Sequence, residues 1–344
     1  MDFEIIRIED GVSWDAMLEE HGGGDVYYRR GYLVALRNRG EGDPLLIVSR
    51  KPGVRACHVG LLRDIPEGLV RENYRDLVSP YGYAGPILEP RDEFTGRSFM
   101  EIWSRAAREL GVVSEFVRFH PVLKTYEPFI SSMDASKISE TVVIDLASGE
   151  IRDGLSGTCR KNLKVARRKG VQVNINNAGE LPRFVRLYRT TMTRRTSVGY
   201  YDFEDRYFED LARGLGDDMW VAMATHEGTD VAGALVLRHG PYLSYHLGGS
   251  DYAQRSLCAT NLLLVHIAEH GRKMGLRTFH LGGGMKAGDS LFHFKAGFSV
   301  LRGHFHVGRK IYAQKEYDEL TAARKAIGRL DGSYFPAYRA PDNS

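Results

Sequence analysis

The sequence has few cysteines, no long apolar run and almost no net charge, and each shortage limits what the protein can be. The three cysteines among 344 residues, Cys57, Cys159 and Cys258, lie far apart and form neither a disulfide framework nor a C-x-x-C metal pair. No apolar stretch approaches the roughly 18 residues that cross a bilayer, and the N-terminal residues lack the basic and apolar regions of a signal peptide. Because the net charge is only +3, any nucleic-acid-binding surface has to be local. We expect a cytoplasmic monomer that spans no membrane.

One pattern of elements occurs twice along the chain. Gly85 and Gly111 are 26 positions apart, as are Gly249 and Gly275, and an amphipathic segment lies between the glycines of each pair. The second glycine of each pair has the position of a helix C-cap and is followed by a strand-like segment. The helices are predicted at 94–110 and 257–274. The spacing indicates an internal duplication and therefore two similar domains.

Helical and strand-like periodicities alternate over the whole chain, which favours an α/β or α+β architecture. A polar, Ser-rich passage at 131–140 predicts the boundary between the two halves. The segment WVAMATHEGTDVAGALVLRHG predicts a hairpin, because a polar turn separates two apolar runs.

The glycine-rich stretch HLGGGMKAGDSLFHFKAGF, residues 280–298, admits two interpretations. Gly283 and Gly288 have the spacing of a phosphate-binding loop, but Asp289 stands where such a loop has its lysine and would repel an anionic ligand. The sequence therefore favours the second interpretation, in which Asp289 caps a short helix by accepting bonds from the free amide groups of its first turn.

On that short helix, Leu291, Phe294 and Phe298 follow helical spacing and are expected to form a buried stripe. Lys295 lies beside the stripe. Its side chain either takes part in chemistry or extends its amine to solvent, and the helix pattern alone leaves both possibilities open.

The turn QRSLCATN, before the second long helix, departs from the coenzyme A cradle of GNAT-type acyl-CoA transferases. That cradle, R/Q-x-x-G-x-G/A, binds pyrophosphate through amides at a helix N-terminus, and its glycines let the anion approach closely. Gln254 and Arg255 are present, but Leu257 or Cys258 takes the first glycine position. Acidic residues occupy the matching place in the first half, EPRDEFTGRSF, so neither half is predicted to bind coenzyme A in the usual manner.

A basic helix, RKNLKVARRKG, places a cationic face opposite an apolar one. Such a face is either merely solvated or makes salt-sensitive contact with a nucleic-acid backbone. The residues that would make this nucleic-acid contact are Arg160, Lys164, Arg167 and Arg168.

Metal and covalent chemistry have little support in the sequence. His304 and His306 share a strand face, but no carboxylate or cysteine accompanies them at a diagnostic spacing. No G-x-S-x-G elbow is present, and no serine or cysteine has an adjacent base signature. We expect neither a metal nor a cofactor.

These segments together resemble the FemABX-like family, aminoacyl-tRNA-dependent peptidyl transferases built from two GNAT-type domains. The matching segments are SPYGYAGP, FVRFHP, TVVIDL, CRKNLKVARRKGV, SYHLGGS, and LGGG followed by DSLFHFKAGF. They cover most of the chain, and D-S-L-x-x-F-K-x-G-F is the most specific. The resemblance implies an α+β fold with mixed sheets and two tandem GNAT-like domains. These are residues 1–138, completed by the C-terminal helix 313–344, and residues 139–312.

The resemblance also implies roles for individual residues. Phe294 and Lys295 match the Phe-Lys pair at the family's active centre, where the lysine meets the aminoacyl ester and the 3′ end of the tRNA. Arg195, Tyr200 and Tyr245 match places that hold the acceptor, a UDP-sugar-peptide in cell-wall members. The chain lacks the helical arm of the best-known members, which leaves the acceptor open between a peptidoglycan precursor and a peptidyl natural product.

The implied activity is transfer of an aminoacyl group from charged tRNA to the amine of a peptide acceptor, with no covalent enzyme intermediate. The main alternative is a GNAT-like N-acyltransferase with an acyl-CoA donor, which Leu257 and Cys258 oppose. A third possibility is a non-catalytic tRNA- or peptide-binding module, in which Lys295 is a surface lysine.

Overall fold

The computed structural model describes residues 2–10, 12–66, 68–69, 74–176, 178–194, 199–328 and 334–341. The chain forms two compact units. Unit 1 comprises Met1–Ile138 and Phe305–Ser344, and unit 2 comprises Ser139–His304. Within the described ranges, no helix is both long enough and apolar enough to cross a membrane.

The strands, numbered along the chain, are β1 Phe3–Arg7, β2 Asp43–Ser49, β3 Arg55–Asp64, β4 Arg75–Val78, β5 Ile87–Glu89, β6 Val112–Arg118, β7 Asp134–Asp145, β8 Gln172–Asn176, β9 Met219–His226, β10 Thr229–His239, β11 Tyr242–Ser250, β12 Thr278–Gly282 and β13 Arg302–Ile311. The α-helices are α1 Val12–Glu20, α2 Arg30–Asn38, α3 Glu93–Glu109, α4 Gly157–Arg168, α5 Leu181–Arg194, α6 Asp205–Leu215, α7 Ala259–Lys273, α8 Ser290–Ala296 and α9 Gln314–Ile327.

Unit 1 is a mixed sheet with the strand order β1-β2-β3-β4-β6-β13, and β5 pairs with β3. Strands β4 and β6 are parallel, and α3 lies between them in the chain. The apolar face of α3 packs on the sheet through Phe99 and Trp103, which are fully buried. The C-terminal helix α9 packs on the same unit, because Leu320 shares a buried cluster with Val113 of β6.

Unit 2 repeats this design with the order β7-β12-β11-β10-β9-β8. The parallel pair is β11 and β12, and α7 connects the two strands. Side chains of β10 alternate between the two faces of the sheet. Ala232 and Ala234 join the core shared with α4 and α7, whereas Gly233 lies against Phe184 of α5. Helices therefore cover both faces of this sheet.

The glycine C-caps of the predicted repeat are confirmed. Gly111 follows the C-cap of α3 with φ of +70°, and Gly275 follows the C-cap of α7 with φ of +77°. The first glycines of the two pairs do not correspond, since Gly85 has φ of +96° in a loop and Gly249 lies inside strand β11. The repeated unit is thus strand, helix, glycine cap and strand, without the loop that precedes α3.

The structure also shows where the two units divide, one helix that was not predicted, and the predicted hairpin. The division between the units falls after Ile138, inside the polar passage 131–140, and that passage is strand from Asp134 onward, because alternate polar residues can lie on an exposed strand face. Helix α6 was not predicted. The hairpin is formed by β9 and β10, and its turn residues Glu227 and Gly228 have positive φ.

Candidate active site

The parallel strands of unit 2 separate at their carboxyl ends. β11 and β12 pair only at Tyr242–Ser244 and Thr278–His280. Beyond that point β11 continues along β10 to Ser250, and β12 continues along β7 to Gly282. Ligands of open α/β sheets bind in crevices at the carboxyl ends of parallel strands, so this gap is the first place to look for a site.

Strand β11 contains a β-bulge beside the gap. Leu235 of β10 faces Leu247, whereas the next residue, Val236, faces Tyr245, so His246 is an extra residue on β11. His246 is buried, and its Nε2 shares a hydrogen bond of 2.8 Å with the hydroxyl of Tyr207. Burial lowers the pKa of His246 to about 3, so the imidazole is neutral at physiological pH.

Lys295 lies beside this gap. It is only 7% exposed and is the most buried residue of α8. Its Nζ donates a hydrogen bond of 2.7 Å to the carbonyl of Gly283, directly after β12, and lies 5.4 Å from the ring centroid of Tyr245 on β11. The carbonyl and the ring face both stabilise a desolvated ammonium group. The lysine therefore contacts residues of both separated strands.

Asp289 fixes the start of the helix that carries this lysine, as predicted. Its carboxylate accepts bonds from the amides of Phe292 at 2.8 Å, Met285 at 2.7 Å and Lys286 at 3.1 Å. The bond from Phe292, followed by those of the loop amides, lowers the pKa of Asp289 below its ordinary value of 3.8. The negative charge thus holds both the loop and the first turn of α8.

Two glycines give these side chains room. A Cβ on Gly284 would lie 2.0 Å from Oδ1 of Asp289, and one on Gly248 would lie 1.7 Å from the hydroxyl oxygen of Tyr245. Real Cβ contacts do not approach 3.0 Å. The glycines around the gap therefore matter because they admit Asp289 and Tyr245, not because they bind phosphate.

The predicted stripe on α8 is only partly right. Phe298 is fully buried, but Leu291 and Phe294 are half-buried, and Lys295 takes the deepest position on the helix. The helix ends at Ala296, so Phe298 lies beyond it and the i+7 spacing does not apply. Phe294 packs edge-on against Phe298, with 5.3 Å between ring centroids.

The predicted acceptor residues lie in different surroundings. The ring of Tyr245 faces the ammonium group of Lys295. Arg195 lies outside the residues that the structure describes. Tyr200 is 43% exposed, and its ring meets that of Phe203 at 6.1 Å. Phe203 stacks on Tyr207 at 4.3 Å, and Tyr207 bonds His246 beside Tyr245. An aromatic chain thus connects Tyr200 to the bulged strand.

The basic helix α4 begins close to the end of α8. Ser156 caps α4 by accepting from the amide of Cys159 at 3.1 Å, and its own amide donates to the carbonyl of Gly297 at 2.9 Å. Opposite the basic face, Leu163 and Ala166 are buried against α7. The capping serine thus joins the first turn of α4 to the segment that follows Lys295.

The four residues predicted to contact nucleic acid are all exposed on α4. Arg160 donates to the carbonyl of Leu155, and Arg167 lies 4.0 Å from Glu269. Within the part of the chain that the structure describes, Lys164 and Arg168 have no ion-pair partner. Their charges are therefore available to an external anion.

The N-terminus of α7 lacks the open backbone of a pyrophosphate cradle. Leu257 is buried, and Cys258 occupies the N-cap with a left-handed φ of +54° and no side-chain capping bond. Side chains therefore stand where glycines would let a pyrophosphate approach. The described residues also contain no cluster of three or more His, Cys, Asp or Glu side chains that could hold a metal ion.

Sequence reasoning missed two features of unit 2. One is the pair formed by His246 and Tyr207. The other is Tyr252, whose ring lies 4.3 Å from the guanidinium carbon of Arg194 and 4.4 Å from that of Arg255. The glycine pair at 248 and 249 is a weak signal for an irregular strand, whereas the arginine contacts join distant segments and leave no local signal.

Comparison with known proteins supports the fold. Residues 157–295 match the family model of the acetyltransferase (GNAT) domain. No curated protein matches the sequence significantly. The crystal structure of FemX superposes with a TM-score of 0.67 at 14% identity, over 92% of this chain and 99% of that chain.

Two further solved structures are similar over nearly the same span. The C-terminal domain of a putative lysylphosphatidylglycerol synthetase from Agrobacterium fabrum has a TM-score of 0.56 at 17% identity, over 92% of this chain and 97% of that chain. L-PGS from Bacillus licheniformis has a TM-score of 0.55 at 16% identity, over 94% and 98% of the two chains. As predicted, the chain has a mixed α+β fold of two tandem GNAT-like acyltransferase units.

Proposed function

We propose that the protein transfers an aminoacyl group from charged tRNA to the amine of a peptide acceptor, forming a peptide bond without a covalent enzyme intermediate. The observation that carries this proposal is the position of Lys295. A buried ammonium group stands at the carboxyl ends of two separated parallel strands, beside Tyr245 and bonded to the carbonyl of Gly283. A desolvated cation at such a place can stabilise negative charge that develops during a reaction.

In the proposed reaction the acceptor amine attacks the ester carbonyl of the aminoacyl-tRNA. The carbon–nitrogen bond forms, a tetrahedral oxyanion appears, and the ester carbon–oxygen bond breaks to release the ribose hydroxyl of the terminal adenosine. The proton lost by the amine balances the one gained by the ribose oxygen. The ester is already activated, so the enzyme contributes orientation and charge stabilisation.

Lys295 is the group assigned to the developing charge. An ammonium has three N–H donors, and the carbonyl of Gly283 engages one of them. In this proposal another donor stabilises the oxyanion or the terminal phosphate of the tRNA. Phe294, which directly precedes Lys295 on α8 and is only half-buried, positions the end of the tRNA by stacking.

The charged helix α4 supports an RNA donor. Lys164 and Arg168 lie exposed on it, and the helix starts at Ser156, which bonds the segment after Lys295. In the proposed complex this face contacts the tRNA backbone, a contact that is sequence-independent and weakened by salt. Tyr245 and Tyr200, together with Arg195, are proposed to hold a peptide or UDP-sugar-peptide acceptor.

A second candidate is an N-acyltransferase that uses an acyl-CoA donor. It is favoured by the match of residues 157–295 to the acetyltransferase (GNAT) domain. Leu257 and the left-handed Cys258 at the N-terminus of α7 argue against it, because the backbone there is not open to pyrophosphate. We therefore place the RNA donor first.

One experiment separates the candidates. The protein is incubated with a panel of peptide amines and either a mixture of charged tRNAs or acetyl-CoA, with and without ribonuclease. Amide formation that ribonuclease abolishes supports the RNA-dependent transfer. Release of free coenzyme A with acylation of an amine would instead establish the acyl-CoA enzyme, and turnover with neither donor would contradict both.

A further inference from the structure

An exposed aromatic side chain of unit 2 lies between two arginines from distant segments. Tyr252 is 50% exposed and follows β11 in the loop that leads to α7. Arg194, the last residue of α5, and Arg255 each place a guanidinium carbon within 4.4 Å of the centroid of its ring. Arg255 also donates to the backbone carbonyl of Tyr252 at 3.2 Å. We call Arg194, Tyr252 and Arg255 the Tyr252 cluster.

The Tyr252 cluster has excess positive charge. Within the ranges that the structure describes, neither Arg194 nor Arg255 forms an ion pair, and both are exposed. The nearby carboxylate of Asp251 accepts a bond from the amide of Ala253 at 2.9 Å. Two guanidinium groups beside one ring repel each other, and an anion that binds both would relieve the repulsion.

The Tyr252 cluster continues the basic face of α4. Lys169, at the C-cap of α4, donates through Nζ to the carbonyl of Ser256 at 3.3 Å, and Ser256 follows Arg255 directly. A basic surface therefore runs from α4 through Lys169 to the cluster without leaving unit 2. The two ends of this basic surface differ in chemistry. The exposed side chains of α4 supply positive charge, whereas the cluster also supplies an aromatic ring between guanidinium groups.

This difference points to a polyanion with two kinds of segment. Charges on a helix suit the phosphates of a duplex, which are recognised without reading bases. Tyrosine rings and guanidinium planes stack on unpaired bases, which a duplex keeps inside its own stack. A peptide partner would not need the planar stack, and a membrane surface would not need it either.

We propose that the Tyr252 cluster binds the unpaired nucleotides that precede the terminal adenosine at the 3′ end of an RNA, while α4 binds the adjoining duplex backbone. This inference rests on the proposed function, since it takes the RNA to be the aminoacyl donor. The bases stack on the ring of Tyr252 or on the guanidinium planes that flank it, and Arg194 and Arg255 pair with the phosphates between those bases.

The test compares two RNA hairpins with the same duplex, one blunt and one with four unpaired 3′ nucleotides, by fluorescence anisotropy. The wild-type protein should bind the overhang hairpin about tenfold more tightly, the gain typical of stacking on an aromatic side chain. Tyr252→Leu should remove that gain and leave binding of the blunt hairpin unchanged. Tyr252→Phe keeps the ring and should keep the gain.

The α4 variant Lys164→Gln/Arg168→Gln is the complementary control. It should weaken both hairpins equally and lower the salt dependence of binding. The inference is overturned if Tyr252→Leu keeps the overhang gain or weakens both hairpins alike.

Because this readout is RNA binding alone, it is separate from the transfer assay. Loss of the gain in Tyr252→Leu supports the inference whatever the acceptor is. A wild-type protein that binds neither hairpin overturns the inference and the RNA donor together.

Discussion

Gly284 and Asp289 lie so close that a Cβ on the glycine would be 2.0 Å from Oδ1 of the aspartate. The carboxylate that caps α8 is therefore packed directly against the backbone of the glycine-rich loop. Any side chain at position 284 has to displace the cap, and Lys295 lies only six residues further along α8.

Gly284→Ala should consequently destabilise the protein by about 1–3 kcal/mol, the usual cost of forcing an extra methyl group into a packed site. Urea denaturation measures this. The matched control is Gly157→Ala on the first turn of α4, where an added Cβ meets nothing within 4 Å, and its stability should be unchanged or slightly higher.

A double variant distinguishes the clash from general backbone strain. Asp289→Ala alone should cost about 1 kcal/mol, the typical value of an N-cap. Gly284→Ala combined with Asp289→Ala should cost less than the two single changes together, because the carboxylate that would clash is gone. Strict additivity would show that the clash is not the cause.

Gly248→Ala is expected to disturb the other side of the site, because its Cβ would lie 1.7 Å from the hydroxyl oxygen of Tyr245. The ring must then leave its present position beside Lys295, and we expect transfer to fall more than about tenfold while stability falls by about 1–3 kcal/mol. Steady-state assays and urea denaturation test this. Adding Gly248→Ala to a Tyr245→Ala protein should cost little further stability, because the clashing hydroxyl is gone; a second change that costs as much as it does in the wild-type protein would contradict the explanation.

His246 should make the folded state sensitive to acid. Burial lowers its pKa to about 3, so between that value and the 6.5 of an exposed imidazole the unfolded chain takes up a proton that the folded chain does not. Stability contributed by the neutral ring is complete above about pH 6.5 and declines as the pH falls, by about 2 kcal/mol at pH 5.

The variant His246→Gln isolates this effect, since glutamine does not titrate and can still accept a bond from Tyr207. Unfolding free energies of both proteins are measured at pH 7.5 and pH 5. The wild-type protein should lose about 2 kcal/mol more than the variant over this interval. Equal losses would mean that His246 is protonated in the folded state.

The local elements of this fold were predictable because their signals are local. Asp289 and the helix that it starts, and Gly111 and Gly275 at the ends of α3 and α7, follow from capping chemistry that involves residues a few positions apart. Strands β9 and β10 follow from two apolar runs around a polar turn.

The geometry of the site was less predictable because it depends on pairing between distant strands. The bulge at His246 is defined by the pairing of β11 with β10. The gap beside it is defined by the short pairing of β11 with β12. Lys295 is buried beside both features, so a helical pattern with one lysine beside an apolar stripe left its burial and its solvent exposure both open.

Lys295 offers the most direct test of the proposed mechanism. Lys295→Met keeps the length of the side chain and removes the ammonium, so kcat/KM for transfer should fall about 100- to 1,000-fold, the loss typical of removing one group that stabilises an oxyanion. Lys286→Met is the matched control, since Lys286 is an exposed lysine in the loop that leads to the same helix, and it should retain near-normal turnover. Circular dichroism and urea denaturation should show that Lys295→Met remains folded, because α8 keeps its Asp289 cap. A folded Lys295→Met protein with wild-type kcat/KM would exclude this lysine from the chemistry and leave it a structural donor to Gly283.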